Sequence, residues 1–141
     1  MISREVPCSS ESHKLIVELG MGDGRLLKKL LEADKEANSN AADEKSRMYI
    51  GIELDRLNYE RAKSLLENFA NVKLIEGSFE VLINDFSDSS IDEIISVLPD
   101  SKFIDIESQE SWERFYRIVN RKMSSHGRFL LVTDLIDDLL Q

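Results

Sequence analysis

The sequence predicts an α/β fold, a three-layer sandwich built on a mostly parallel sheet with about five strands. Short apolar runs rich in β-branched residues alternate along the chain with segments whose apolar residues recur at helical spacing. This alternation is typical of parallel strands joined by crossover helices. Of the 141 residues, 42% are hydrophobic and 32% are charged, and the charged residues are interspersed with the apolar ones. We therefore expect one continuous domain over residues 1–141, large enough to bury a core.

The first half of the chain contains three predicted strands. Residues 14–19 form an apolar run that ends at closely spaced glycines, and a helix follows over about residues 25–33. The polar stretch 34–46 has no apolar periodicity, so we expect a surface loop or a frayed helix end there. The second strand, residues 48–54, is followed by a segment with helical periodicity, and the third strand, residues 72–75, is short.

The second half contains two more strands. A brief helix leads from the third strand to the fourth, residues 91–98, which ends at a proline. From about residue 108, aromatic and aliphatic residues recur at helical spacing and predict a helix with one buried face. Residues 124–127 are predicted to turn the chain into a fifth strand, residues 128–132. A last short helix is predicted over residues 135–140.

Composition and charge exclude several classes of protein. With 27 acidic and 18 basic residues the net charge is −9, whereas a free-standing nucleic-acid-binding domain normally has a basic surface. Apolar runs such as residues 129–132 are far shorter than the ~18 residues of a membrane span, and no leader peptide opens the sequence. Cys8 alone forms neither a disulfide framework nor a Cys-rich zinc site, and His13 and His126 lie far apart. We expect a cytoplasmic protein with no membrane or metal partner.

Three glycines at alternate positions follow the first strand: Gly20, Gly22 and Gly24. They let the backbone turn tightly and approach a ligand closely, with the N-terminus of the next helix behind the turn. The dinucleotide-binding pattern would need its third glycine at the position of Arg25. Glu18 lies just before the turn and would repel a pyrophosphate, but it suits a ligand that carries an ammonium group. The sequence therefore predicts a cleft for a cationic ligand.

A second acidic residue, Glu53, ends the second predicted strand. In a parallel sheet this position lies beside the glycine turn, where a carboxylate can accept two hydrogen bonds from a ribose diol. Asp23 and Asp55 are alternatives for these acidic roles, because an error of one residue in the strand end changes the assignment. The structural alternative is a simple strand-to-helix turn with a solvated acid at the end of the next strand.

Together, Glu18, the glycine turn and Glu53 resemble the class I S-adenosylmethionine-dependent methyltransferases, whose fold is Rossmann-like. The resemblance implies that the cofactor is S-adenosyl-L-methionine. It also implies that the glycine turn, with Met21, cradles the methionine and sugar parts, and that Glu53 and its neighbour Leu54 hold the ribose.

The resemblance further implies an adenine contact after the third strand, where this chain has Ser78 and Phe79. A serine hydroxyl can reach the adenine, and the ring of Phe79 can pack either on the adenine or in the core. The family usually has seven strands, so the C-terminal strands of the usual seven are missing among the five predicted here. We expect either a shortened chain or an exposed sheet edge that a partner subunit or a second copy covers.

A narrower resemblance concerns the methyl acceptor. Residues 49–81 and 113–134, with a Pro-Asp after the fourth strand and a Thr-Asp after the fifth, are similar to the tRNA (guanine-N(7)-)-methyltransferases. This implies methylation of an RNA nucleobase such as a tRNA guanine, with Asp100, Thr133 and Asp134 as catalytic residues.

The chain departs from that family in one respect. The family's basic tract after Pro-Asp is absent here. The glycine turn and the end of the fourth strand are also similar to the ribosomal-RNA adenine methyltransferases that confer aminoglycoside resistance. The alternatives are a methyltransferase for a small molecule or a protein, and a non-catalytic subunit whose partner contacts RNA. Arg114, Arg117 and Arg121 share one helix face, which we interpret as a solvated surface rather than as a phosphate-binding one.

Overall fold

The structure is a computed structural model that describes residues 13–38 and 46–133. Within these two ranges, five strands alternate with four helices. In chain order they are β1 (His13–Leu19), α1 (Arg25–Asn38), β2 (Ser46–Glu53), α2 (Arg56–Leu65), β3 (Val72–Glu76), α3 (Phe79–Leu82), β4 (Ile91–Val97), α4 (Gln109–Lys122) and β5 (Met123–Val132).

The strands form one sheet in the order β3-β2-β1-β4-β5, and every neighbouring pair is parallel. The predicted α/β class is confirmed. The chain reverses its direction across the sheet between β1 and β4, and in open α/β sheets ligands bind at such a switch point, beyond the carboxyl ends of the strands. The predicted glycine turn follows β1 at this point.

Helices cover both faces of the sheet, which confirms the three-layer sandwich. Leu15, Val17 and Leu19 of β1 pack on the same side as Phe115 and Val119 of α4. Residues of β1 alternate between the two faces because the side-chain period of a strand is two. The opposite cluster contains Ile16 of β1 and side chains from α1, from α2 and from the residue that follows α2: Leu27, Leu31, Ala62 and Leu66.

Aromatic rings fix the segment between β4 and α4 on the α4 side of the sheet. The ring of Phe103 lies 5.0 Å from that of Phe79 and 5.2 Å from that of Phe115. Offset or tilted aromatic pairs at these distances add to the free energy of burial. The indole Nε1 of Trp112 donates to the Asp105 carbonyl at 2.7 Å, which ties the same segment to the first turns of α4.

Two predicted features differ from the structure. Helix α1 continues to Asn38 rather than ending near residue 33, so the polar stretch begins as a helix end, which was one of the two alternatives for it, and its Asp34 is buried and pairs with Arg47 of β2. Residues 124–127 are not a turn before the last strand but lie inside β5, at a break in its pairing with β4. Ser124 Oγ donates to Asp92 Oδ1 at 3.0 Å across this break. The predicted helix at residues 135–140 lies outside the described residues.

Strand β5 lies at one edge of the described sheet. Its last three apolar residues are exposed, with Leu130 at 52% and Val132 at 42%. Coverage of this edge by a partner subunit or by a second copy stays a prediction. In the described ranges no helix is long and apolar enough to cross a membrane, and no group of three or more His, Cys, Asp or Glu residues is placed to hold a metal ion.

Gly51 of β2 offers a test of the packing beneath the glycine turn. A Cβ atom at this position would overlap the sulfur of Met21 and a methyl group of Leu27. We expect Gly51→Ala to lower the free energy of unfolding by about 2 kcal/mol, because overpacking a filled core forces neighbours to move. Urea unfolding followed by circular dichroism measures the change. Gly22→Ala is the control, because the added Cβ meets no atom within 4 Å. It should lower the free energy of unfolding by about 1 kcal/mol, since alanine is strained in the left-handed conformation of this residue. Equal stability of Gly51→Ala and the parent chain would contradict the packing.

Candidate functional site

The glycine turn is fastened to the end of β2. The backbone N–H groups of Gly20 and Met21 both donate to the carbonyl of Ile52, each at 2.9 Å. The φ angles of Gly20, Gly22 and Gly24 are +73°, +59° and +86°. Residues with side chains rarely adopt these left-handed conformations, so the turn needs glycine at all three positions.

The glycines differ in what surrounds them. A Cβ atom on Gly22 would meet no heavy atom within 4 Å, so this glycine faces open space. A Cβ atom on Gly24 would lie 3.0 Å from the Cβ of Ala62, so α2 packs directly against Gly24. The predicted ligand-binding role therefore suits Gly20 and Gly22, whereas Gly24 also allows close helix packing.

Glu53 clamps the turn from the neighbouring strand, where the sequence placed it. Its Oε1 accepts a hydrogen bond from the N–H of Gly22 at 2.8 Å, and its Oε2 accepts one from the N–H of Asp55 at 2.9 Å. Each carboxylate oxygen has a further lone pair that can accept from a ligand hydroxyl. Asp55 accepts from the N–H of Asn58 at 2.9 Å and so caps α2. One oxygen of Asp55 is therefore used in capping α2, whereas Glu53 is bonded to the glycine turn.

Glu18 is the buried acid of the site. It lies on β1 beside Gly51 of β2 and Ile95 of β4, and only 3% of it is exposed. Its Oε1 has no hydrogen-bond partner among the described residues. Burial, and then the negative charge of Glu53, raises the pKa of the Glu18 carboxyl to about 8. A buried polar atom without a hydrogen-bond partner costs free energy unless a ligand or a water molecule donates the missing hydrogen bond.

A cleft of about 500 Å³ opens beside Glu18 and the turn. Pockets for small ligands usually have volumes of this order. One end is polar and is formed by Glu18, the glycine turn and Arg25, which pairs with Asp23 at 2.9 Å. The other end is apolar, and its walls come from β4 and β5: Ile95, Val97, Leu130 and Val132.

Four other residues predicted to bind the cofactor lie around the same end of the sheet. The side chain of Met21 is buried in the core under the turn. Leu54 lies just past β2 and is 70% exposed. Ser78 is half-buried at the start of α3, and its side chain makes no capping hydrogen bond. Phe79 packs against the α4-side core, and its ring lies 3.7 Å from the position of a Cβ on Gly20.

The residues predicted to be catalytic follow β4 and β5, which are neighbours in the sheet. Asp100 is exposed, and its Oδ1 accepts from the N–H of Lys102 at 3.2 Å in a short 3₁₀ turn, Ser101–Phe103. Thr133 is half-buried directly after β5. Asp134 lies outside the described residues. Asp100 and Thr133 therefore both lie beyond the carboxyl ends of the strands, as the glycine turn does.

Sequence reasoning missed the apolar wall of the cleft. Val97, Leu130 and Val132 lie within the predicted fourth and fifth strands, and the sequence predicts no role for them at the site. Alternation along a strand places Val97 on the same side as Ile95, which is the side that Glu18 faces. The alternation along the fourth strand indicates which of its residues share a face. Only the pairing of β5 with β4 shows that Leu130 and Val132 continue that face.

No protein-family model matches the sequence, and no curated protein matches it either. Solved structures do resemble the fold. YcgJ from Bacillus subtilis is 23% identical, with a TM-score of 0.62, over 92% of this chain and 47% of its own. An S-adenosyl-L-methionine-dependent methyltransferase from Thiobacillus denitrificans, in complex with S-adenosyl-L-homocysteine, is 20% identical over 86% of this chain and 42% of its own, with a TM-score of 0.56.

A third solved structure is phosphoethanolamine N-methyltransferase 1 from Haemonchus contortus, in complex with phosphoethanolamine and S-adenosylhomocysteine. It is 15% identical over 90% of this chain and 23% of its own, with a TM-score of 0.62. This chain has the Rossmann-like fold of S-adenosylmethionine-dependent methyltransferases. It spans less than half the length of each of these three structures.

Burial of Glu18 predicts a pH-dependent stability. The pKa of its carboxyl, about 8, lies above the ordinary value of 4.5, so the stability it contributes is present at low pH and lost as the pH rises toward 8. We expect the free energy of unfolding to fall by about 1 kcal/mol per pH unit between about pH 6 and about pH 8. Glu18→Gln should remove this component. Urea unfolding of both proteins across this range provides the measurement, and parallel curves would contradict it.

Proposed function

We propose that this chain binds S-adenosyl-L-methionine in the cleft beside Glu18 and belongs to a methyltransferase that uses this cofactor. The observation that carries the proposal is the buried, unpartnered carboxylate of Glu18 in a cleft at the switch point of a methyltransferase fold. A negative group enclosed in this way favours a ligand with positive charge, and this cofactor carries both a sulfonium and an ammonium group.

The residues of the cleft, with Glu53 and Ser78 at the ends of the neighbouring strands β2 and β3, fit such a ligand. Glu18 Oε1 needs a hydrogen-bond donor, and Gly22 leaves space in front of the turn. Glu53, held by the N–H groups of Gly22 and Asp55, has acceptor capacity left for a ribose diol. Ser78 would face the adenine, with a hydroxyl that is not used in capping α3.

S-adenosylmethionine, when bound, supplies an electrophilic methyl group on a positively charged sulfur. The contribution of the protein is to orient the reacting groups and to exclude water, since alignment alone lowers the barrier substantially. The turn held by Ile52 and Glu53 is a preorganised support for this purpose. In its ionised form, Glu18 adds a negative potential that favours a cation in the cleft.

The cofactor assignment is tested by calorimetric titration with S-adenosylmethionine. We expect saturable binding, weakened about tenfold or more by Glu53→Ala, because this change removes both the ribose acceptor and the clamp on the turn. Glu110→Gln, an exposed change on α4, is the matched control and should bind normally. Absence of saturable binding at high micromolar cofactor, or an unchanged affinity in Glu53→Ala, would overturn the proposal.

For the methyl acceptor, we propose an RNA nucleobase, with a tRNA guanine as the first choice. This rests on the resemblance of the Pro99-Asp100 and Thr133-Asp134 segments to the tRNA guanine methyltransferases. Asp100 is exposed shortly after the end of β4, and its carboxylate can accept from the N–H groups of a guanine edge. Contacts to RNA phosphates would come from a partner, because this chain has a net charge of −9.

A small molecule is the second candidate for the acceptor. Val97, Leu130 and Val132 form an apolar wall that suits an uncharged organic group better than a nucleic-acid backbone. The cations near this end of the sheet are paired: Lys102 with Glu80 at 2.8 Å, and Arg56 with Glu76 at 3.2 Å. One of the similar structures is named for phosphoethanolamine, which is a small molecule.

A labelled-methyl assay separates the two acceptors. The protein is incubated with labelled cofactor and either total tRNA and rRNA or an RNA-free extract of small metabolites. For an RNA base we expect label in the RNA, and a loss of at least about tenfold in Asp100→Ala. Asp105→Ala is the matched control, because Asp105 also caps a short 3₁₀ turn, Ile106–Ser108. Label in the metabolite fraction alone would reject the RNA acceptor. Cofactor binding without transfer to either fraction until a partner is added would identify a subunit of a larger enzyme.

A further inference from the structure

Glu18, which lines the cleft, and Glu53, which holds the glycine turn from the next strand, differ in the hydrogen bonds that they accept. Glu53 accepts hydrogen bonds from two backbone N–H groups, at 2.8 Å and 2.9 Å. Glu18 is buried, and its Oε1 accepts none within the part of the chain that the structure describes. An ionised carboxylate in this position would lack both a donor and a counter-charge, and burial penalises that state strongly.

The elements around Glu18 supply no compensating charge. Strand β2 contributes Glu53, which has the same sign. The turn and the start of α1 contribute Asp23 and Arg25, whose charges pair with each other at 2.9 Å. The remaining side chains of the described cleft wall, from α1, β4 and β5, are apolar: Leu26, Ile95, Val97, Leu130 and Val132.

We propose that Glu18 carries a proton in the empty cleft and releases it when a ligand bearing an ammonium group binds, so that ligand uptake is coupled to proton release. This inference rests on the proposed function, since it concerns the same cleft and the same ligand. The proton leaves the carboxyl oxygen for solvent, and the ammonium group takes its place as hydrogen-bond donor. The net charge at Glu18 and its partner is therefore unchanged by the exchange.

The strength of the coupling follows from burial. The pKa of the Glu18 carboxyl is raised to about 8 by burial and by Glu53, so near neutral pH most molecules hold the proton. A ligand that needs the ionised form of Glu18 must then bind about tenfold more tightly for each unit by which the pH rises toward that value, while its own amino group stays protonated. S-adenosylmethionine and S-adenosylhomocysteine both carry the ammonium group. Methylthioadenosine lacks the amino-acid part and should bind without releasing a proton.

The number of protons released is measured by isothermal titration calorimetry near neutral pH, in buffers with low and high ionisation enthalpy. With S-adenosylhomocysteine we expect about one proton released per ligand bound, and with methylthioadenosine about none. Glu18→Gln should bind S-adenosylhomocysteine with no proton release and with an affinity independent of pH. Glu110→Gln, far from the cleft on the surface of α4, should release the same number as the parent chain.

The possible outcomes separate the proposed cofactor site from the proposed coupling to proton release. S-adenosylhomocysteine binding with no proton release and a flat pH profile would overturn the coupling while leaving the cofactor site intact. No binding of either amino-acid ligand at any pH would overturn the proposed function and the coupling together. If Glu18→Gln fails to fold, the comparison of S-adenosylhomocysteine with methylthioadenosine on the parent chain still decides the matter. Equal proton release by the two ligands would assign the proton to a group other than Glu18.

Discussion

The attachment of the glycine turn to the end of β2 is the constraint on which the rest of the site depends. The carbonyl of Ile52 accepts from two successive N–H groups of the turn, and the carboxylate of Glu53 accepts from a third. The two bonds to the Ile52 carbonyl join the end of β1 to the end of β2 through backbone groups alone, and the Glu53 side chain adds the third. Gly51, one residue earlier on β2, leaves room for Met21 beneath the turn. Hydrogen bonds therefore hold the cleft on this side, and residues of β4 and β5 form its other wall.

The glycine turn and the neighbouring strands enclose Glu18, whose carboxylate contributes nothing to the stability of the fold when it is ionised. Glu18 occupies a core position on β1 where its neighbours along the strand are Val17 and Leu19, both fully buried. An apolar residue there would fill the core at no electrostatic cost. Retaining a carboxylate in a cleft without a donor destabilises the empty protein, and a cationic ligand would remove that cost. Stability and binding are opposed at this one position.

The apolar end of the cleft limits the kind of molecule that can bind there. Leu130 and Val132 belong to the edge strand β5 and are about half exposed, in contrast to Ile95 on the neighbouring strand, which is buried. An apolar wall next to a polar turn can bind a molecule that has an apolar body and a polar reacting group. Lys102 and Arg56, near this end of the sheet, are paired with carboxylates, and the net charge is −9, so this chain offers little electrostatic attraction to a nucleic-acid backbone.

The sequence by itself determined the α/β class, the order of the elements, the glycine turn and the presence of Glu18 and Glu53 at its two sides. It could do so because these features depend on local periodicity and on glycine conformations. Only the tertiary structure decided that Glu53 clamps the turn, that Asp55 caps a helix instead, and that Glu18 Oε1 lacks a partner. These outcomes depend on which strands are neighbours, and pairing between residues distant in sequence leaves no local pattern to interpret.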